Sequence, residues 1–179
     1  MAMLIELLDA RAIGQPAAVT TEPLFSAGGV IEPPPGWLRR LAAMCHDRGM
    51  LLIVDEEQTG LGKLGDMFGF QAEGIVPDII TMAKHLGGGV GISALATTAA
   101  IEQKAVASGY AATHSRANDP LICAAGVASL DVIEQEDIPA KARQIVALDA
   151  RLSGSARPAL RDDRRRARAR PTDGHRAGA

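Results

Sequence analysis

Met50-Leu-Leu-Ile-Val-Asp55-Glu-Glu-Gln58 is a run of five apolar residues that ends abruptly in three carboxylates and an amide. A short apolar run with no polar residue alternating through it reads as a strand covered on both faces, the pattern of a parallel strand inside an α/β sheet. Upstream, Gly36 to Arg48 carries Leu38, Leu41, Ala42 and Cys45 on one helical face. Gly49 falls where a left-handed helix cap belongs, so a helix should feed directly into the strand. Working outward, Ala2 to Ala12 has helical spacing, Ala17 to Thr21 reads as a short strand, and Glu22 to Pro35 is a Gly/Pro-rich loop. Downstream, Asp78 to Ala83 and Ile92 to Thr97 read as strands, and Thr98 to Ser108 and Pro120 to Gln135 as helices. No internal repeat is visible. Strands alternating with helices predict an α/β fold with a mostly parallel sheet flanked by helices, whose ligands lie beyond the carboxyl ends of the strands.

Chemistry-bearing residues fall at those ends. Asp55 closes the central run, and Lys84 follows it by 29 residues, in Asp78-Ile-Ile-Thr-Met-Ala-Lys84-His-Leu-Gly-Gly-Gly89. An isolated aspartate and an isolated lysine at two strand ends are what pyridoxal phosphate (PLP) chemistry needs. The cofactor draws electrons only while its ring nitrogen stays protonated, and a nearby carboxylate favours that charged form; Asp55 is the candidate. Its aldehyde is held as a Schiff base to a lysine, and Lys84 is the candidate for that role and for moving the substrate proton. Gln58 is placed to donate to the ring oxygen, and the glycines after Lys84 would let backbone approach a flat ring or phosphate.

Other motifs compete for the same residues. An apolar run ending in Asp-Glu also matches the Walker B strand, but that reading needs a Gly-x-x-x-x-Gly-Lys-Ser/Thr loop upstream, and the glycines here follow Lys84. Gly89-Val-Gly91-Ile-Ser-Ala94 fits the dinucleotide fingerprint, yet no acid lies about 20 residues further on. A solvated lysine before a glycine-rich loop is the bland alternative for Lys84.

Five ordered motifs carry a resemblance. Thr21-Glu22-Pro23 with Gly28-Gly29, then Ile53-Val-Asp55-Glu-Glu-Gln58-Thr-Gly60-Leu-Gly62-Lys-Leu-Gly65, Pro77-Asp78-Ile79, Lys84, and Asn118-Asp119-Pro120-Leu121 resemble the class III aminotransferases. The wording is nearest to 2,2-dialkylglycine decarboxylase, and the resemblance runs from about Leu4 to about Leu148. It implies the three-layer fold type I large domain, PLP as cofactor, an amino donor and a 2-oxo acid as substrates, and a homodimer. It also implies that Asp55 pairs with the ring nitrogen, Gln58 meets the ring oxygen, and Lys84 carries the cofactor. The family's cofactor phosphate takes a hydroxyl from the neighbouring subunit; an ungapped match puts this at Ser115, with Thr113 as the alternative and a ligand-free polar turn as the bland reading. Glu57 stands where the family has a small apolar residue on the cofactor face, and a carboxylate there is costly to bury unless paired. Ala27 and Lys63 replace residues that relatives use near the substrate carboxylate, which bears on substrate choice.

Composition bounds the remainder. The chain has 179 residues, 47% hydrophobic and 22% charged, enough for one core. A net charge of -2 and a pI near 6.1 carry no nucleic-acid or membrane signature. Only 3% of residues are aromatic, which argues against a base-stacking surface. Nothing resembles a signal peptide, and Cys45 and Cys123, without metal spacing, read as buried thiols of a reducing cytoplasm. The expected organisation is a partial PLP-binding large domain over residues 1–150 and an Arg-rich tail over 151–179. That tail holds nine arginines against three acids, has almost no core-forming residue, and reads as disordered or as the product of a shifted frame. A basic arm for nucleic acid is the alternative. The family's N-terminal phosphate loop and C-terminal substrate arginine are not recognisable, so the chain is expected to be an incomplete fragment, weak or inactive alone. The competing reading is a non-catalytic remnant that associates with a full-length relative.

Overall fold

The protein is seen in a computed structural model that describes residues 2–12, 14–111 and 113–153. Its elements in chain order are α1 (Ala2–Arg11), β1 (Ala18–Thr21), α2 (Trp37–Asp47), β2 (Leu51–Asp55), β3 (Ile79–Met82), β4 (Ala94–Thr97), α3 (Ala99–Ala107), α4 (Pro120–Gln135) and α5 (Ile138–Ser153). Short 3-10 turns occupy Gly69–Glu73 and Lys84–Gly87. The four strands lie side by side in the order β1-β2-β3-β4, the first three parallel and β4 antiparallel to β3. The expected mixed, mostly parallel sheet with helices against it is what forms.

The entry into β2 follows from the chemistry of α2's end. Gly49, at φ +66°, turns the chain out of the helix; its N–H donates to the His46 carbonyl at 3.1 Å, and the Met50 N–H reaches back to the Cys45 carbonyl at 2.8 Å. This double bond set is the Schellman arrangement, which satisfies carbonyls that the helix end would otherwise leave open. It delivers Leu51 straight into register with Ala18 of β1. The buried face of α2 is Leu38, Leu41, Met44 and Cys45. They pack on Leu52 and Val54 of β2 and on Phe70, with Leu4, Ile5 and Leu8 of α1 and Ile80 of β3 at the margin. Leu41 and Val54 are fully shielded from solvent. A second, smaller cluster joins Leu61, Leu86 and Ile133, linking α4 to the segments that follow β2 and β3.

Alternation along β2 corrects one expectation. Leu52 and Val54 are buried, whereas Leu51, Ile53 and Asp55 are only half-buried, so the strand is fully covered on one face and partly on the other. The apolar run had read as buried on both. Cys45 is buried as expected, but Cys123 is exposed on α4. The glutamate of Thr21-Glu22-Pro23 closes the following turn, its Oε2 accepting from the Ser26 backbone N–H at 3.1 Å and from the Ser26 hydroxyl. Asp119 and Pro120 start α4: the Asp119 Oδ1 accepts from the Leu121 N–H at 3.0 Å, and proline fills the first helical position.

The chain divides between Ala142 and Arg143, inside α5. Helix α5 has residues on both sides of that division, and its described part ends at Ser153. The rest of the expected Arg-rich tail lies outside the described residues. No helix among the described residues is long and apolar enough to cross a membrane.

Because no atom lies within 4 Å of where a methyl group on Gly49 would stand, substitution there is opposed by backbone conformation alone. Gly49→Ala should lower the unfolding free energy by about 1 kcal/mol in chemical denaturation. An unchanged midpoint would show that the left-handed turn does not govern the entry into β2.

Candidate active site

The strand alternation sets up the site. It continues one residue past β2, so the row Leu52, Val54, Glu56 points into the core while Asp55 and Glu57 take the other side. Glu56 is 2% exposed. Its Oε2 accepts from the Thr59 hydroxyl at 2.5 Å and its Oε1 from the Phe70 N–H at 3.0 Å. Its own N–H donates to the Thr81 carbonyl of β3 at 2.9 Å. Burial pushes the Glu56 carboxyl above its ordinary value of 4.5, against the opposing pull of those hydrogen bonds, and the neighbouring Asp55 charge adds to the upward shift. Sequence reading had passed over Glu56. Only its register with Leu52 and Val54 distinguishes it from the acids on either side.

Asp55 ends β2 half-buried, and its Oδ1 accepts from the Glu57 N–H at 3.0 Å, which folds the start of the turn onto the carboxylate. Gln58 is half-buried in the same turn. Lys84 stands three residues beyond Thr81, the β3 partner of Asp55, so both residues lie past the carboxyl ends of adjacent parallel strands. Its backbone is left-handed, φ +49°, a conformation that costs a residue with a side chain roughly 1–2 kcal/mol. Its Nζ donates to the Glu57 Oε2 at 2.9 Å, with the two side chains 45% and 40% exposed. Next to it, the Lys63 Nζ lies 3.3 Å from the His85 Nε2. Burial, then the charges of Lys63 and Lys84, hold His85 below its usual value and favour a neutral ring that accepts from Lys63.

Asp55, Gln58 and Lys84 thus share one edge of the sheet. Ser115 and Thr113 are exposed in the connection between α3 and α4. Two cavities are defined among the described residues. One, of about 250 Å³, is lined by Asp9, Gln15, Arg48 and Met50; the other, of about 570 Å³, by His46, Asp47, Leu51, Leu52 and Asp78. Residues at the amino ends of the strands line both. The glycines after Lys84 also have a packing reason of their own. A Cβ on Gly87 would stand 2.8 Å from Ile92 Cγ2, and one on Gly88, at φ +57°, 2.7 Å from the Ser129 hydroxyl of α4. Among the described residues no cluster of His, Cys, Asp and Glu could hold a metal ion.

The family model for class III aminotransferases matches residues 2–161. The chain belongs to that family. An uncharacterized aminotransferase of Schizosaccharomyces pombe is 42% identical over 137 residues, covering 76% of this chain and 31% of that protein. Among solved structures, an amine transaminase from an uncultivated Pseudomonas species, in its PLP-bound form, is 33% identical with a TM-score of 0.75, over 82% of this chain and 34% of that one. An ornithine aminotransferase from Toxoplasma gondii is 33% identical with a TM-score of 0.70, over 76% and 32%. This class III chain therefore spans about a third of the length of these relatives. Its fold is the fold type I transferase architecture they share, in part.

Two measurements check this geometry. At Glu56 the folded protein keeps a proton that the unfolded chain has lost in the window that starts near 4.5 and ends at the elevated Glu56 value, so this group's contribution to stability falls as pH rises through it. Glu56→Gln should flatten that fall when denaturation midpoints are followed upward from about pH 4; the same slope in both proteins would contradict the buried, proton-holding carboxyl. At Lys84, glycine and alanine both remove the amine but only glycine relaxes the left-handed backbone. Lys84→Gly should exceed Lys84→Ala in stability by about 1 kcal/mol, and equal stabilities would refute the strained conformation.

Proposed function

We propose that this chain is the cofactor-binding part of a PLP-dependent transaminase that moves an amino group between an amino acid or amine and a 2-oxo acid. The observation that carries the reading is that Asp55 closes β2, Gln58 stands in the turn that follows it, and Lys84 follows the adjacent parallel strand β3, in a chain of the class III family. The residues fit the cofactor's demands. A half-exposed amine on Lys84 can meet an aldehyde once it leaves Glu57, and a half-buried carboxylate on Asp55 suits a protonated ring nitrogen. When bound, PLP supplies an electron sink for the bond broken at the substrate carbon.

The chain's own residues do the rest. Asp55 holds the proton on the ring nitrogen, Gln58 donates to the ring oxygen, and Lys84 attaches the cofactor and carries a proton to and from the substrate carbon. Ser115, or Thr113 in its place, serves the phosphate of a neighbouring subunit in a homodimer, in keeping with their exposure in the α3–α4 connection. The finer reading, decarboxylation of a 2,2-dialkylglycine, rests on the wording of the five motifs, and a cytoplasmic location on the reading of the cysteines as reduced thiols. The division into a partial PLP-binding domain over 1–150 and a separate tail over 151–179 belongs to the same proposal. A second reading, a remnant that only associates with a full-length relative, is favoured by one observation: the Lys84 amine is already engaged by the Glu57 carboxylate.

The test is chemical. Incubating the chain with PLP, reducing with borohydride and mapping the modified peptide should place the label on Lys84, and Lys84→Ala should lose it. A label mainly on Lys63, Lys104 or Lys141 would refute the assignment.

A further inference from the structure

The geometry points to Glu57 as a counter-ion that holds Lys84 back from the cofactor, so that breaking the Glu57–Lys84 pair is a step in cofactor loading. This rests on the reading of Lys84 as the lysine that attaches PLP. Three observations on one edge of the sheet carry it. The Lys84 Nζ is bound to the Glu57 Oε2 at 2.9 Å. The pair is built by the local backbone: the Asp55 carboxylate takes the Glu57 N–H, and Glu56 anchors the same turn in the core, which leaves the Glu57 carboxylate to Lys84. Lys84 is held from its own end by a left-handed backbone at φ +49°, which fixes where its side chain starts. The partners are therefore positioned by two constrained turns and not by a chance meeting of long side chains.

Attachment needs the lone pair that an ammonium lacks. The paired ammonium gives up one proton to solvent, the nitrogen adds to the aldehyde carbon, a carbon–nitrogen double bond forms, and the carbonyl oxygen leaves as water. The ion pair occupies the amine and must be broken before the nitrogen can reach an aldehyde, so Glu57 slows loading. At the exposure of this pair its hold is modest, which sets the effect at roughly two- to five-fold in rate. Glu57 is half-exposed, and its replacement by glutamine removes the charge while keeping the shape.

The experiment follows borohydride-trapped attachment on the full 179-residue chain and on Glu57→Gln, with PLP and, in parallel, with pyridoxal lacking the phosphate. Label on Lys84 appearing about two- to five-fold faster in Glu57→Gln with both aldehydes supports the counter-ion role. Raising the salt concentration should speed the wild-type chain toward the variant with pyridoxal, because an exposed pair is screened. Label on Lys84 at equal or slower rate in the variant overturns this inference and leaves the assignment of Lys84 standing. An acceleration confined to the phosphate ester also overturns it, since that reports attraction of the anion to a less acidic surface. Label on another lysine overturns the assignment itself.

Discussion

A carboxyl group in an apolar core is the constraint around which the functional edge of this protein is arranged. Glu56 occupies the third place of an inward row that begins with two buried aliphatic side chains, and leaving such a group without partners would cost several kcal/mol. The chain satisfies it by bending: Thr59 brings its hydroxyl back, and the 3-10 turn at Gly69–Glu73 offers the Phe70 N–H. Those two bonds determine the path of the turn after β2, and so the direction in which Asp55, Glu57 and Gln58 are presented. Burial raises the pKa of the carboxyl while these two hydrogen bonds pull it down, so the brace offsets part of the cost that burial imposes. A buried group in this position couples the shape of the turn to the integrity of the core beneath it.

Much of this was readable from residues alone, for local reasons. An apolar run, a helix stripe and a glycine at the helix exit together specify α2 and β2, and Asp119-Pro120 marks the start of α4 because a capping carboxylate and a proline act within one turn. Helix α5 left a similar mark that went unread: Asp137 takes the Ala140 N–H at 3.2 Å, just before Pro139 in the first turn. What could not be read depends on neighbours distant in sequence. The need for glycine at 87 and 88 comes from Ile92 and from Ser129 on α4, and the burial of Glu56 from strand register. The left-handed backbone of Lys84 and the position of the cavities at the amino ends of the strands likewise emerge only when the sheet is assembled.

Family membership and local chemistry meet at Glu57. The class III pattern is carried by backbone-directing residues, such as Glu22 closing its turn onto Ser26 and Asp78 taking the Leu52 N–H at 2.8 Å. These hold whatever side chain stands at position 57. A charged residue is tolerated there because it is half-exposed and paired, which answers the desolvation objection that the sequence raises. The fold thus leaves this position free to vary in charge, and what varies is how the neighbouring amine is held.

The described sheet begins at β1 and stops at β4, and its two outermost strands, Ala18-Val-Thr-Thr21 and Ala94-Leu-Ala-Thr97, contain no proline and no charged residue. Leu95 is 60% exposed. Soluble proteins usually guard such margins with a lysine, a bulge or a covering helix, because bare amides and carbonyls there recruit strands from other molecules. Neither strand carries a charge or a proline, so among the described residues both borders are suited to pairing with a further strand.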